Sequence, residues 1–383
     1  MTRLSLGVIA GSSKVDERRL PIHPLHVERI DPDLRSRIHL EEGYGEPFGV
    51  SDAVLAESVA GLRSRAEIIE HSDIVLLPKP QAQDLKDLRE HQTLWGWPHC
   101  VQDAELTQVA IDRRLTLIAF EAMNFWTSEG SFNLHVFHKN NELAGYCSVL
   151  HAMALNGSTG DYGRRLNAVV IGFGATARGA VTALNAHGVH DVHVITQRGV
   201  TAVGSPIHSA DIVQFDQSDS FARGTYVITD DGGVALNEFL RGFDVIVNCV
   251  LQDPNAPLTF LDAEDLPSLA PGTLIVDVSC DAGMGFSWAR PTSFAEPTFM
   301  VGEHIRYYAV DHSPSYLWNS ATWEISNALL PYLRSVMDGP SAWQADETLR
   351  RAIEIADGVV ENPAILKFQH REEQFPHRLS ADR

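Results

Sequence analysis

Several polar residues stand where short apolar runs end, and their types suit proton transfer and carboxylate binding. Lys79 ends Asp73-Ile-Val-Leu-Leu-Pro-Lys, His99 follows Trp95-Gly-Trp-Pro, and Glu121 ends Leu115-Thr-Leu-Ile-Ala-Phe. Arg18 and Arg19 follow the first apolar run, and Asp281 follows Asp277 in Asp-Val-Ser-Cys-Asp-Ala-Gly. The ends of strands are where open α/β sheets build their sites. A solvated loop charge is the commoner explanation for any one of them, but a set of strand-end polar groups in one stretch shifts that balance. Histidine titrates near neutrality, a guanidinium grips a carboxylate bidentately, and an ammonium adds a point charge. Asp281, further from its strand than Asp277, is the better aspartate candidate.

A second site is written into Asn167 to Gly179, N-A-V-V-I-G-F-G-A-T-A-R-G. Ala168 to Ile171 reads as a strand buried on both faces, followed by a tight turn and a helix start. Gly172 permits the turn, Gly174 allows backbone approach to a pyrophosphate, and Ala177 is small enough for close packing; Ala175 and Thr176 open the helix toward the phosphates. A second β-rich run, Asp191 to Ile195, arrives one helix length later and closes a βαβ unit. At its end stands Thr196-Gln197-Arg198, without the carboxylate that NAD sites place on the ribose 2′-hydroxyl. NADP(H) is therefore favoured, and NAD(H) stays open.

The elements that must hold these groups follow from the alternation of apolar runs. A chain of 383 residues, 44% hydrophobic, suggests two domains. Strands are expected at Leu4–Ala10, Arg37–Glu41, Asp73–Leu77, Thr93–Gly96 and Leu115–Phe120, with helical spacing over 54–61, 63–70 and 102–112. Asn141 is placed to cap a helix through Leu155, with Gly157 beyond its end. Ser313-Pro314 opens another long helix that Pro331 kinks or ends. The two helices bracket the nucleotide-binding stretch. The fold expected is α/β, two Rossmann-like doubly wound parallel-sheet domains with a cleft between them. The first is discontinuous, residues 1–140 plus 313–383, and binds substrate; residues 141–312 bind the dinucleotide. Disorder is expected only in the polar tail from about Glu372.

A net charge of −20 argues against nucleic-acid or anionic-membrane partners. The four cysteines, Cys100, Cys147, Cys249 and Cys280, form no CxxC and suggest neither zinc nor disulfides, so no metal and a cytoplasmic location are expected. No apolar run reaches the length of a membrane span, about 18 residues. Leu94-Trp-Gly-Trp and Trp126 are read as core or hinge packing before pocket wall.

The chain resembles the superfamily of alanine dehydrogenase, lysine-forming saccharopine dehydrogenase, N5-(carboxyethyl)ornithine synthase and the NAD-binding subunit of proton-translocating transhydrogenase. Glu17-Arg-Arg-Leu-Pro-Ile-His-Pro resembles the opening E-x-R-x-x-x-x-P, which implies that Arg19 is the substrate-binding arginine. The family's lysine and histidine fall on Lys79 and His99, and its strand ending in glutamate on Glu121. Lys139 to Tyr146 and Thr273 to Gly283 resemble carboxyethylornithine synthase, whereas Val247-Asn-Cys-Val and Val310 to Leu317 are similar to saccharopine dehydrogenase. The resemblance implies that Cys249 and Val250 meet the cofactor and that Asp281 matches the alanine dehydrogenase aspartate. It implies reductive condensation of an amino acid with a 2-oxo acid through an imine, or the reverse. Oxidative deamination of a primary amino acid is the first alternative, and a non-catalytic NADP-binding or transhydrogenase-like protein the second. Homo-oligomers occur in the family, and the sequence does not choose a state.

Overall fold

The computed structural model describes residues 3–197, 210–216, 226–229, 232–252 and 257–380. The chain divides into two compact units, one of residues 1–138 with 318–383 and the other of residues 139–317.

In the first unit, strands β1 (Leu6–Val8), β2 (Ile38–Glu41), β3 (Gly61–Arg63), β4 (Ile74–Leu76), β5 (Thr93–Gly96) and β6 (Thr116–Ala119) form a parallel sheet ordered β3-β2-β1-β4-β5-β6. Strands Ile353–Ala356 and Val359–Val360 extend it antiparallel beyond β6. The inner strands are apolar without alternation because both faces are covered. Ile74 and Leu76 enter one core with Leu6, Val8 and Ile118, while Val75 enters the opposite one with Leu94 and Leu117.

In the second unit, the parallel strands run Asp211–Asp216, Asp191–Thr196, Asn167–Ile171, Val245–Asn248, Leu274–Asp277, Ile305–Tyr308 across the sheet. Ala168 and Val170 face one core, Val169 and Ile171 the other. Both sheets reverse strand order beside their first strand, which is where α/β folds open a crevice for ligands.

Several local expectations are corrected. The stretch expected to be helical over 54–61 is a helix Asp52–Ala56, and Gly61–Arg63 is an edge strand. The linker helix is His138–Asn156, so Asn141 lies inside it rather than capping it, while Gly157 takes the left-handed φ of 67° just past its end. Ser313–Leu317 is a 3-10 turn and the helix is Trp318–Leu329; Pro331 lies in a further 3-10 turn, Leu330–Tyr332. In the described part of the tail, 372–380, the Glu372 N–H donates to the Arg378 carbonyl at 2.8 Å and His377 is buried, while the other side chains are exposed. Among the described residues no helix is long and apolar enough to cross a membrane.

Candidate functional site

The register of β4, β5 and β6 brings three of the strand-end groups together. Leu76 pairs with Trp95, and Gly96 with Ala119, so the loops carrying Lys79, His99 and Glu121 leave neighbouring points of one sheet edge. The Trp97 N–H donates to the Pro78 carbonyl at 2.7 Å. Gly96 makes this approach feasible: a Cβ there would stand 2.0 Å from the Leu77 carbonyl oxygen.

His99 has a left-handed backbone, φ 50°, uncommon for a residue with a side chain. Its N–H donates to Glu121 Oε1 at 2.6 Å, and its carbonyl accepts from the N–H groups of Gln102 and Asp103 at 3.1 and 3.0 Å. The imidazole is 44% exposed, with Nδ1 4.0 Å from the same Glu121 oxygen. Glu121 keeps partial exposure, but its Oε2 is shut off from solvent and has no hydrogen-bond partner. Burial, with the nearby Glu354 carboxyl, holds Glu121 well above the usual carboxylate range, against the pull of the His99 N–H and of Lys79. Glu121, expected to bind substrate, also accepts from the His99 main chain.

Arg19 is buried, with Nε 2.8 Å from Glu17 Oε1 and Nη2 2.5 Å from Oε2, and its guanidinium lies 5.3 Å from the centroid of Trp97. A bidentate pair over an aromatic face fixes the direction of the planar group. Arg18 is exposed. Trp95 is wholly buried, its indole N–H on the Met123 sulfur, so the Trp-rich loop is core at Trp95 and a platform at Trp97.

Sequence reasoning passed over three participants. Glu17 was quoted only as part of a motif. His135 comes from the hairpin Asn124–Trp126 and Phe132–His135; its Nδ1 accepts from the Phe137 N–H at 3.0 Å, so Nε2 carries the hydrogen toward the Glu121 carbonyl at 3.2 Å. Burial lowers it to about 4, so it is a neutral donor at pH 7. Glu354 comes from the late strand. No local pattern marks either.

In the second unit, strand Asn167–Ile171 lies between Asp191–Thr196 and Val245–Asn248, at the reversal of strand order. Gly172, φ 112°, turns there, and a Cβ on it would stand 3.1 Å from the Cys249 carbonyl oxygen. The Cys249 N–H donates to the Ile171 carbonyl at 2.9 Å, and the Val250 N–H to Asn248 Oδ1 at 3.1 Å. Gly174 precedes the helix Ala175–Ala186, which has no side-chain cap, and a Cβ on Gly174 would meet nothing within 4 Å. Ala177 is fully buried against the sheet. A helix N-terminus with open space at the second glycine fits a pyrophosphate. Thr196 is buried at its strand end, Gln197 is exposed, and Arg198 lies outside the described residues.

Asp277 is wholly buried and accepts from the Tyr307 hydroxyl at 2.5 Å, Asn248 Nδ2 at 2.9 Å and the Cys280 N–H at 3.0 Å. Burial pushes it up to about 6 despite these donors. It ties the loop of Asp281 to that of Cys249 and Val250, helped by the Ser279 hydroxyl donating to the Val250 carbonyl at 2.7 Å. Asp281 is half-buried and raised by burial. Among the described residues no cluster of His, Cys, Asp and Glu is placed to hold a metal ion.

Residues 7–141 match the N-terminal-domain model of the alanine dehydrogenase/PNT family, and residues 165–363 its C-terminal-domain model. The chain is 27% identical over 323 residues to an alanine dehydrogenase of Halomonas elongata, covering 82% of this chain and 83% of the relative. It is 24% identical over 332 residues to an N(5)-(carboxyethyl)ornithine synthase of Clostridium botulinum, covering 84% and 91%. In fold it is similar to a solved L-alanine dehydrogenase, with a TM-score of 0.74 at 20% identity over 95% of this chain and 99% of that one. The transhydrogenase from Sinorhizobium meliloti gives 0.67 at 18% identity over 94% and 99%. Matched in both its domains, the chain belongs to the alanine dehydrogenase/PNT family.

Proposed function

We propose that the protein is a nicotinamide-dependent oxidoreductase of C–N bonds that condenses an amino acid with a 2-oxo acid through an imine and reduces it, or runs the reverse. The observation that carries this reading is the set of adjacent strand ends bearing Lys79, His99 and Glu121, beside the fixed guanidinium of Arg19. The relatives named carboxyethylornithine synthase support the condensation. Those named alanine dehydrogenase keep deamination of a primary amino acid as the second reading.

When bound, the nicotinamide supplies or accepts the hydride. The protein's own groups bind and move protons. Arg19 and Lys79 take the substrate carboxylates, and Arg19 does so pre-oriented by Glu17 and Trp97. His99 protonates the departing hydroxyl of the carbinolamine and takes the proton of the amine in the reverse direction, with Lys79 as partner. Asp281 is the rival acid or base. Gly172, Gly174, Ala175, Thr176 and Ala177 receive the pyrophosphate, Cys249 and Val250 border it, and Thr196, Gln197 and Arg198, lacking a carboxylate, favour NADP(H).

The test is NADPH consumption with pyruvate or 2-oxoglutarate against ammonia, ornithine and lysine. Turnover is expected only when an amino acid accompanies the oxo acid. Turnover with ammonia and pyruvate alone would favour the deaminating reading. Tight NADPH binding with no turnover for any pair would favour a non-catalytic protein.

A further inference from the structure

Behind the His99 loop lies the side chain of Gln369, 269 residues along the chain from Cys100. Gln369 ends the helix Pro363–Phe368, and both it and Arg371 are buried. Gln369 Nε2 donates to the Cys100 carbonyl at 2.6 Å and to the Val101 carbonyl at 3.2 Å, the two carbonyls that follow His99. The Thr107 hydroxyl, from the helix Ala104–Asp112, donates to the same Cys100 oxygen at 2.8 Å, so both lone pairs of that oxygen are used. Gln369 Oε1 accepts from Arg371 Nε at 2.6 Å. The other partners of Arg371 are the Gln108 amide oxygen at 2.7 Å and the carbonyls of His377 and Ala104, each at 3.2 Å. All four of these acceptors are uncharged.

We propose that Gln369 is a positioning residue for His99: with Arg371 behind it, its amide fixes the Cys100–Val101 backbone and so the left-handed conformation that presents the imidazole. The inference rests on the proton role given to His99 above. The His99 N–H is tied to Glu121, and its carbonyl closes a turn onto the N–H groups of Gln102 and Asp103. Held only so, that turn could swing about the Glu121 contact; Gln369 and Thr107 tie it to the body of the first unit from the far side. A guanidinium only donates and a carbonyl only accepts, so the Gln369 amide has one satisfactory orientation, oxygen to Arg371 and nitrogen to the loop. Turned over, it would set donor against donor and acceptor against acceptor. Arg371 is buried on neutral acceptors alone, which sacrifices hydration without the attraction of an ion pair. A carboxylate in place of the Gln369 amide would offset that cost, yet it has no hydrogen to give the Cys100 and Val101 carbonyls. The arrangement thus gives up stability at Arg371 and keeps a donor on the loop.

Hydrogen exchange of the whole chain, read at the Gln102 and Asp103 amides that donate to the His99 carbonyl, measures how firmly the turn is held. Gln369→Glu keeps the side-chain volume and the acceptor for Arg371 but lacks the donor. It is expected to lower the protection of those two amides by about tenfold, with the amides of β5 and β6 unchanged. Gln369→Leu, which removes the donor without adding charge, is expected to show the same local loss. Unchanged protection at Gln102 and Asp103, an equal fall in β5 and β6, or a loss confined to Gln369→Glu overturns the proposal whether or not a substrate pair has been found. With a turned-over pair in hand, Gln369→Glu is expected to lower kcat by about 10² through misplacement of the imidazole, with the Michaelis constant and NADPH affinity little changed. An unchanged kcat with the turn loosened overturns the positioning role while leaving the proposed reaction standing. Absence of turnover with every pair counts against the reaction, and the exchange result still decides whether Gln369 holds the turn.

Discussion

The His99 N–H donates to Glu121 Oε1 at 2.6 Å, and that same oxygen lies 4.0 Å from the His99 imidazole Nδ1. One carboxyl therefore holds a left-handed backbone in place and sits behind the ring that backbone presents. A loop residue with φ 50° persists only when its surroundings determine it, and here the surroundings are the ends of β5 and β6.

His99→Gln is expected to lower turnover by about 10²–10⁴, the usual cost of losing an acid–base group, with cofactor affinity unchanged and one limb of the pH profile gone. Asp281→Asn is the comparison. If His99→Gln kept most activity and the wild-type profile while Asp281→Asn abolished turnover without loss of cofactor binding, Asp281 would take the role.

Glu121→Ala removes the acceptor of the His99 N–H and should destabilise the first unit by about 1–3 kcal/mol. Glu121→Gln retains an acceptor and should cost less. Denaturant unfolding of the two variants decides the matter, and equal losses would mean that the charge rather than the hydrogen bond holds the loop.

Arg19→Ala should raise the Michaelis constant for the carboxylate substrate, and Arg18→Ala should leave it alone. Arg19→Ala also strands the buried Glu17 carboxylate, a loss of about 3–5 kcal/mol when a buried pair is broken from one side. The double variant Glu17→Gln/Arg19→Ala should recover stability without recovering substrate affinity. If Arg18→Ala is the variant that raises the constant, the assignment along Glu17-Arg-Arg is off by one residue.

Asp277 and His135 give the units opposite pH responses. Asp277 titrates at about 6 in the fold against 3.8 for a free side chain, so the folded state binds the proton more readily, and stability falls as pH rises through that window. His135 is lowered to about 4 from 6.5, so its contribution is full above 6.5 and is lost as pH falls toward 4. Asp277→Asn should therefore gain melting temperature relative to wild type at pH 7.5 and much less at pH 5. An equal difference at both values would mean that Asp277 is ionised throughout.

Fluorescence titration with NADPH and NADH in parallel tests the cofactor. Tighter NADPH binding is expected, and clearly tighter NADH binding would reverse the assignment drawn from Thr196-Gln197-Arg198.

What the sequence determined by itself is local. A continuously apolar run such as Ala168 to Ile171 can be satisfied only as a strand covered on both faces, and the glycines after it mark the turn and the helix start. The same rule exposed Lys79, His99 and Glu121 as strand ends. The edge strand Gly61–Arg63, half-buried with one large apolar residue, carries no such signal: Gly61 and Arg63 read as the ends of two helical stretches with Leu62 between them. Tertiary structure alone decided what stands beside what. That β4, β5 and β6 are neighbours is a matter of strand order, and no periodicity encodes it. The pairing of Ile353 with Ile118, which lays the late strand beside β6, closes a loop of more than two hundred residues; only burial in a completed sheet makes two such segments adjacent. The charges of the candidate site follow the same division: residue type supplies an imidazole, an ammonium and carboxyls, while the protons they hold depend on desolvation and on neighbours that the fold brings in from afar.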